Sequence, residues 1–95
     1  MIPKNELDKV ISIAEKYSIR ELYLIGSALY KKPEEVNDYD FAVRGVPKGK
    51  FFKFYGELLR AMVKNVDLID LSGKMTKFKG IILKEGKLIY GKSKA

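Results

Sequence analysis

The chain has 95 residues, of which 46% are apolar and 33% are charged, and its formal net charge is +7 at pH 7. This length suits one hydrophobic core, so we expect residues 1–95 to form a single domain. Cysteine and histidine are absent, which excludes disulfides, zinc sites made of thiolates or imidazoles, and catalysis by a cysteine nucleophile or a histidine base.

The first half of the chain predicts a helix, a strand and a second, short helix. Asn5 can cap the first helix, which we expect to end near Ser18, and its apolar residues recur at helical spacing: Leu7, Val10, Ile11, Ala14 and Tyr17. ELYLI, residues 21–25, reads as a short buried strand that Gly26 ends. SALYKK, residues 27–32, can start a short helix that Pro33 stops.

The second half predicts two strands, a helix and a hairpin. DYDFAV, residues 38–43, alternates in character and reads as a strand. A helix over about 50–64 follows, with one apolar stripe: Phe51, Phe54, Tyr55, Leu58, Leu59 and Met62. NVDLIDL, residues 65–71, predicts a third strand, the basic segment 72–80 a connection, and residues 81–91 a closing hairpin with its turn at Glu85–Gly86. We therefore expect an α/β (α+β) fold, with helices packed on a small mixed β-sheet.

Two aspartates in the second strand are candidate metal ligands. Alternation places Asp38 and Asp40 on the face opposite the apolar Tyr39, Phe41 and Val43, with their Cα atoms about 6–7 Å apart. Two like charges this close repel each other, and a divalent cation would offset the repulsion. Ligation by oxygen alone favours Mg²⁺ or Mn²⁺ over zinc. An exposed acidic pair balanced by neighbouring lysines would show the same spacing.

A Gly-Ser pair at the end of the first strand is a candidate phosphate site. Gly26 permits close approach to the backbone, and the Ser27 hydroxyl can hydrogen-bond an anion. A strand that runs into a helix also presents free N–H groups and the positive helix end to phosphate oxygens. Alone, such a pair is usually a turn and a helix cap, so the hypothesis depends on finding it together with the aspartates.

These motifs together resemble a known family. LIGSALYKKPEEVNDYDFAV, residues 24–43, followed by VDLIDL, residues 66–71, is similar to the minimal nucleotidyltransferases of the DNA polymerase beta-like superfamily. Their signature is an apolar strand, Gly-Ser, some ten residues, an Asp-x-Asp strand and a third aspartate on a later strand. The resemblance extends from about Glu21 to the closing LKEGKLIYG, residues 83–91.

The resemblance implies roles for five residues. Asp38, Asp40 and Asp67 would hold two Mg²⁺ ions, or Mn²⁺, and Gly26 and Ser27 would bind the β- and γ-phosphates of a nucleoside triphosphate, most simply ATP. Asp67 would also help to activate an attacking hydroxyl, so that a nucleoside monophosphate is transferred and pyrophosphate leaves. We choose Asp67 over Asp70 as the third ligand because Asp67 lies between apolar residues, where an acid is unfavourable unless it is ligated, whereas Asp70 can cap the next turn.

The resemblance also implies a partner. Minimal nucleotidyltransferases often pair with helical HEPN-domain toxins as their antitoxins, some of them by attaching AMP to the toxin. Family members commonly carry arginine just after the Gly-Ser pair, whereas this chain has ALYKK at residues 28–32, which leaves open an inactive antitoxin that acts by binding alone. The positive charge also fits a basic nucleic-acid-binding module. That module would expose aromatic residues among lysines on a sheet face, so we do not expect nucleic acid as the main ligand.

One further expectation concerns the location of the protein. No apolar run approaches the ~20 residues of a membrane-spanning helix. The N-terminal sequence MIPKNELDK also lacks the order of a secretory signal. We therefore expect a cytoplasmic protein with no membrane association.

Overall fold

The computed structural model describes residues 2–91. Three α-helices and four strands follow one another in the order α1 (Lys4–Lys16), β1 (Glu21–Ile25), β2 (Asp38–Arg44), α2 (Phe51–Ala61), β3 (Asn65–Asp70), α3 (Lys77–Glu85) and β4 (Lys87–Gly91). Two short 3₁₀ turns, Gly26–Leu29 and Pro33–Glu35, lie between β1 and β2. Among the described residues, no helix is both long and apolar enough to cross a bilayer.

The strands form one sheet in the order β3-β2-β1-β4. β1 pairs antiparallel with β2 and with β4, whereas β2 pairs parallel with β3. The parallel pair is joined by α2, the type of crossover connection that parallel strands require. The sheet is therefore mixed and carries helices, which confirms the predicted fold class.

Each face of the sheet packs into its own apolar cluster. Leu22 and Leu24 of β1 belong to the larger cluster, to which α1 and α2 contribute Val10, Phe54 and Leu58. Tyr23, between those two leucines, belongs to a smaller cluster with Ala42, Leu71 and Ile82 of α3. Because successive strand residues point to opposite faces, α1 and α2 cover one face of the sheet and α3 covers the other.

The cap of α1 and the apolar stripe of α2 differ from the prediction, whereas the end of α1 agrees with it. Asn5 is not the cap of α1: the helix begins at Lys4 after Pro3, and no side chain caps it. The predicted end near Ser18 is confirmed, because α1 ends at Lys16 and Ser18 has a left-handed φ of 55°. Leu59 was wrongly placed on the buried stripe of α2, since it is 45% exposed, while the other five predicted residues pack against the larger cluster.

The predicted short helix and closing hairpin are also wrong. Residues 27–32 form only a 3₁₀ turn that ends at Leu29. Residues 77–85 form α3, whose first turn is capped by Thr76, since the Lys79 backbone N–H donates to Thr76 Oγ1 at 3.1 Å. Only residues 87–91 are a strand, and this strand pairs with β1 rather than with the segment before it. The apolar run Ile81–Leu83 suits a strand or a helix equally well, and the cap decides for the helix.

Candidate active site

The register of the central strands brings three of the predicted residues, Gly26, Asp40 and Asp67, to one end of the sheet. Asp40 of β2 pairs with Asp67 of the parallel strand β3. On the other side, Asp40 pairs with Ile25, the last residue of β1, directly before Gly26. Neighbouring strands lie about 4.8 Å apart, so Asp40 stands between Asp67 and the Gly26 turn.

The acidic side chains lie on the face of the sheet that α3 covers. Tyr39 and Phe41, which alternate with the aspartates, are fully buried in the larger cluster. Asp38 and Asp67 are exposed and Asp40 is half-buried. The prediction that the apolar face of β2 is the buried one is confirmed, and the acids are left beside α3 with access to solvent.

The charges at this site repel one another. Burial raises the pKa of the Asp40 carboxyl above its ordinary value, and the negative charge of Asp67, a hydrogen-bonding contact with the Asp67 carboxyl and the charge of Asp38 raise it further, in that order. Of the two neighbouring acids, Asp67 raises the pKa of Asp40 more than Asp38 does, and Asp38 acts through its charge alone. The two neighbouring carboxylates therefore disfavour the charged form of Asp40.

The three carboxylates do not form a complete metal cage in this conformation. Within residues 2–91, no three acidic side chains are close enough together to hold a metal ion. Asp40 and Asp67 pair across the two strands, and Asp38 lies two residues before Asp40 on β2. The donor set still suits a hard divalent cation, because it consists of carboxylate oxygens alone and because their repulsion is the kind that a cation relieves.

Gly26 packs directly against the acidic cluster. Its φ is +75°, and a Cβ atom added there would lie 2.5 Å from Asp40 Oδ2. Any side chain at this position would displace the Asp40 carboxylate, so only glycine allows the turn to approach it so closely. The Gly-Ser turn and the aspartates therefore form one continuous site.

Ser27 lies in the 3₁₀ turn that follows β1. Its carbonyl oxygen accepts hydrogen bonds from the backbone N–H groups of Tyr30 and Lys31, both at 3.0 Å. Because this turn has only four residues, its dipole is far weaker than that of the helix expected from the sequence. Phosphate binding here would depend on individual backbone N–H groups and on the Ser27 hydroxyl.

Asp70 lies away from the cluster. It pairs with Val43, three positions along the ladder from the Asp40–Asp67 pair. Its Oδ1 accepts a hydrogen bond of 2.9 Å from the Ser72 backbone N–H, so Asp70 caps the turn after β3, as the sequence suggested. Its position supports the choice of Asp67 as the third acid.

Sequence reasoning missed an apolar cleft beside Gly26. Tyr30 and Leu29 form one side of this cleft and Phe78 and Ile81 of α3 form the other. The cleft went unnoticed because residues 77–80 were assigned to a connection and residues 81–84 to a hairpin. The threonine before KFKGIILKE, residues 77–85, is the signal that could have revealed α3.

A protein-family model, described as "Polymerase beta, Nucleotidyltransferase", matches residues 8–95 of the chain. No curated protein matches the sequence significantly. Several solved structures match by fold, at identities that support the fold alone.

Three of those structures are toxin–antitoxin complexes. The first is an MntA complex with two aspartates, two positions apart, replaced by glutamate; it has a TM-score of 0.71 and 22% identity, over 90% of this chain and 73% of that chain. The second is a toxin–antitoxin complex with AMP-PNP; it has a TM-score of 0.69 and 22% identity, over 90% of this chain and 73% of that chain. The third is the tri-AMPylated HEPN toxin of Shewanella oneidensis in complex with MNT antitoxin; it has a TM-score of 0.69 and 23% identity, over 94% of this chain and 72% of that chain.

Proposed function

We propose a nucleotidyl-transfer function from the premise that the chain belongs to the polymerase beta nucleotidyltransferase family. In this proposal, residues 1–95 act as one domain that transfers AMP from ATP to a hydroxyl group of an acceptor and releases pyrophosphate. The observation that carries the proposal is the pairing of Asp40 with Asp67 while Gly26 packs on the Asp40 carboxylate. This contact supports the proposal that phosphates and cations bind side by side.

Each of the five residues has a role in the proposed reaction. The carboxylates of Asp38, Asp40 and Asp67 are the metal ligands, and Gly26 and Ser27 bind the β- and γ-phosphates through a backbone N–H group and a hydroxyl. When bound, two Mg²⁺ ions, or Mn²⁺, would supply the positive charge that stabilises the triphosphate and the leaving pyrophosphate. Asp67, which is exposed to solvent, orients the attacking hydroxyl and takes its proton.

The protein residues mainly position the reactants. Phosphoryl and nucleotidyl transfer require an in-line approach of the nucleophile and neutralised charge, with little covalent chemistry from the protein. The β-strands that carry Asp40 and Asp67 are held by a core in which Tyr39 and Phe41 are fully buried. This rigid support suits a reaction that depends on geometry.

We propose that the acceptor is a helical HEPN-type protein and that the chain is its antitoxin. The Shewanella oneidensis complex contains an AMPylated HEPN toxin with an MNT antitoxin, and a related complex contains the ATP analogue AMP-PNP. The shared fold makes the same pairing a reasonable function for this chain. Since the proposed donor is ATP, we place the reaction in the cytoplasm.

Two observations favour an antitoxin that binds its partner without catalysis as the second candidate. The residues after Gly26–Ser27 are ALYKK, residues 28–32, without an arginine, and the described residues contain no preformed group of three metal-binding acids. A nucleic-acid-binding module that stacks bases on a sheet face is not favoured, because the aromatic residues of β2 are buried.

The experiment incubates the protein with Mg²⁺, ATP labelled at the α-phosphate and a HEPN-type partner. We expect label on the partner, reduced to background by Asp40→Asn or Asp67→Asn. Asp70→Asn is the matched control and should label normally, because Asp70 lies at the turn after β3. Tight binding of the partner with no transfer by the wild-type protein would instead support the second candidate.

A further inference from the structure

A cleft of about 270 Å³ lies between the turn after β1 and the outer side of α3. Leu29 and Tyr30 line the cleft on the side of the turn, Phe78 and Ile81 line it on the side of α3, and Gly26 is also part of its lining. α3 is held in place by Ile82, which is buried in the smaller cluster. The cleft is thus formed by parts of the structure that are fixed by the sheet.

The walls of the cleft expose large apolar side chains. Tyr30 is 82% exposed, Phe78 is 61% exposed and Ile81 is 52% exposed. Single exposed apolar residues are common, but several gathered at one concave surface mark a binding site. Two of the three are aromatic, which suits a flat ligand that can stack.

The position of the cleft limits what it can bind. Gly26 lines the cleft and also packs on the carboxylate of Asp40, so the cleft opens directly onto the proposed phosphate and metal site. The volume of the cleft, about 270 Å³, is close to that of the smallest small-molecule pockets. A flat ring system attached to a phosphate chain fits both the size and the position.

We propose that this cleft binds the nucleobase of the nucleoside triphosphate, with the base stacked on Phe78 and covered by Tyr30. The inference rests on the proposed function, because it takes the triphosphate to lie at Gly26 and Ser27. Phe78 and Tyr30 then contact the substrate but take no part in the chemistry of transfer. The contact explains why two aromatic rings are exposed beside the phosphate site.

The test compares the binding of Mg-ATP with that of inorganic tripolyphosphate by isothermal titration calorimetry. Phe78→Ala should weaken Mg-ATP about 5- to 150-fold, the range found when a stacking aromatic residue is replaced by alanine, and should leave tripolyphosphate binding unchanged. Phe78→Tyr should keep the ATP affinity within about twofold, since the ring remains. The matched control is Phe52→Ala: Phe52 is 82% exposed on α2, away from the cleft, and its replacement should change neither affinity.

Four results decide the question. Equal ATP affinity for wild type and Phe78→Ala would overturn the inference, as would a parallel loss of ATP and tripolyphosphate binding. A higher KM for the protein acceptor with unchanged ATP affinity would also overturn it, because the cleft would then belong to the acceptor. If wild type binds neither ATP nor tripolyphosphate, the proposed function itself fails, whereas each of the first three results removes only the inference. Circular dichroism of each variant confirms that the helix content is retained.

Discussion

At the scale of single residues, Gly26 determines how near the turn after β1 comes to the acidic cluster. Its left-handed φ is shared by Gly49 in the loop before α2, but the two glycines have different surroundings. A Cβ at Gly26 would collide with Asp40 Oδ2, whereas a Cβ at Gly49 would meet no atom within 4 Å. Comparing alanine variants at the two glycines therefore separates the effect of backbone strain from the effect of displacing the Asp40 carboxylate.

Gly26→Ala should lower the rate of AMP transfer about 100-fold, the effect of moving a reacting group by roughly 1 Å. Gly49→Ala is the matched control, since both variants carry the strain of a left-handed alanine, about 1 kcal/mol. We expect Gly49→Ala to lose stability but to transfer AMP at nearly the wild-type rate. Equal rates for the two variants, measured with α-labelled ATP at a temperature where both are folded, would contradict this role of Gly26.

Asp40 also makes a testable contribution to stability in the metal-free protein. Because burial and Asp67 raise the pKa of Asp40 above its ordinary value of 3.8, the folded protein holds this proton more tightly than the unfolded chain. Stability is therefore lost as the pH rises from about 4 through the raised pKa. Asp40→Asn removes the repulsion, so in EDTA at pH 7 it should be more stable than wild type by about 1 kcal/mol.

Thermal unfolding in EDTA measures this difference. One kcal/mol corresponds to about 4–8 °C in Tm for a chain of this size, and the difference should vanish near pH 3, where Asp40 is neutral. Asp70→Asn should show no such gain, since its side chain can still accept from the Ser72 N–H. A lower Tm for Asp40→Asn at pH 7 would mean that a protein cation already balances the cluster.

At the scale of elements, some parts of the site follow from local sequence and others do not. The alternation of DYDFAV, residues 38–43, predicts both the strand and the face that carries Asp38 and Asp40, because a strand has a period of two. The apolar run of β1 and the glycine after it predict a strand that ends in a tight turn. These features depend only on neighbouring residues.

Register and pairing could not be predicted in the same way. The alignment of Asp40 with Asp67 depends on how α2 connects two parallel strands, and the pairing of β4 with β1 joins segments that are far apart in sequence. Residues 81–84 were assigned to a strand because a run of four residues cannot show the helical period. Thr76, the cap that favours a helix over a strand, lies five residues before Ile81.

Thr76 should therefore be important for the stability of α3. Thr76→Ala removes the acceptor for the Lys79 N–H and should destabilise the protein by about 1 kcal/mol, as other N-cap replacements do. Thr76→Ser keeps the hydroxyl and should cost much less. Urea unfolding gives both values, and hydrogen exchange of the α3 amides should rise in the alanine variant alone. Equal stability of the two variants would show that the cap does not hold α3.

At the scale of the whole molecule, the acidic cluster is a negative site in a positively charged protein. The net charge of +7 attracts a nucleoside triphosphate over long range, and the sheet presents three carboxylates where the phosphates are proposed to bind. Without a divalent cation these carboxylates repel the phosphates. In the proposed function, a general attraction for anions is combined with a local site that would accept phosphates only together with a cation.

This combination predicts that the effect of the aspartates on ATP binding reverses with the cation. The double substitution Asp38→Asn, Asp40→Asn removes two negative charges near the triphosphate, each worth about 1 kcal/mol at 4 Å in water. In EDTA the variant should therefore bind ATP at least about fivefold more tightly than wild type. In Mg²⁺ the order should invert, because only wild type can hold the cations that bridge protein and phosphates.

Calorimetric titrations of ATP at one ionic strength, with EDTA and with Mg²⁺, give the four affinities. Replacing Asp8, an exposed acid on α1, by asparagine is a control for net charge alone and should change ATP binding little under either condition. If the double variant binds more weakly than wild type in both conditions, the aspartates contact the nucleotide without a cation. A change in net charge alone would make the double variant bind ATP more tightly in both conditions. Tighter binding in EDTA together with weaker binding in Mg²⁺ is therefore the result that a metal site at Asp38 and Asp40 requires.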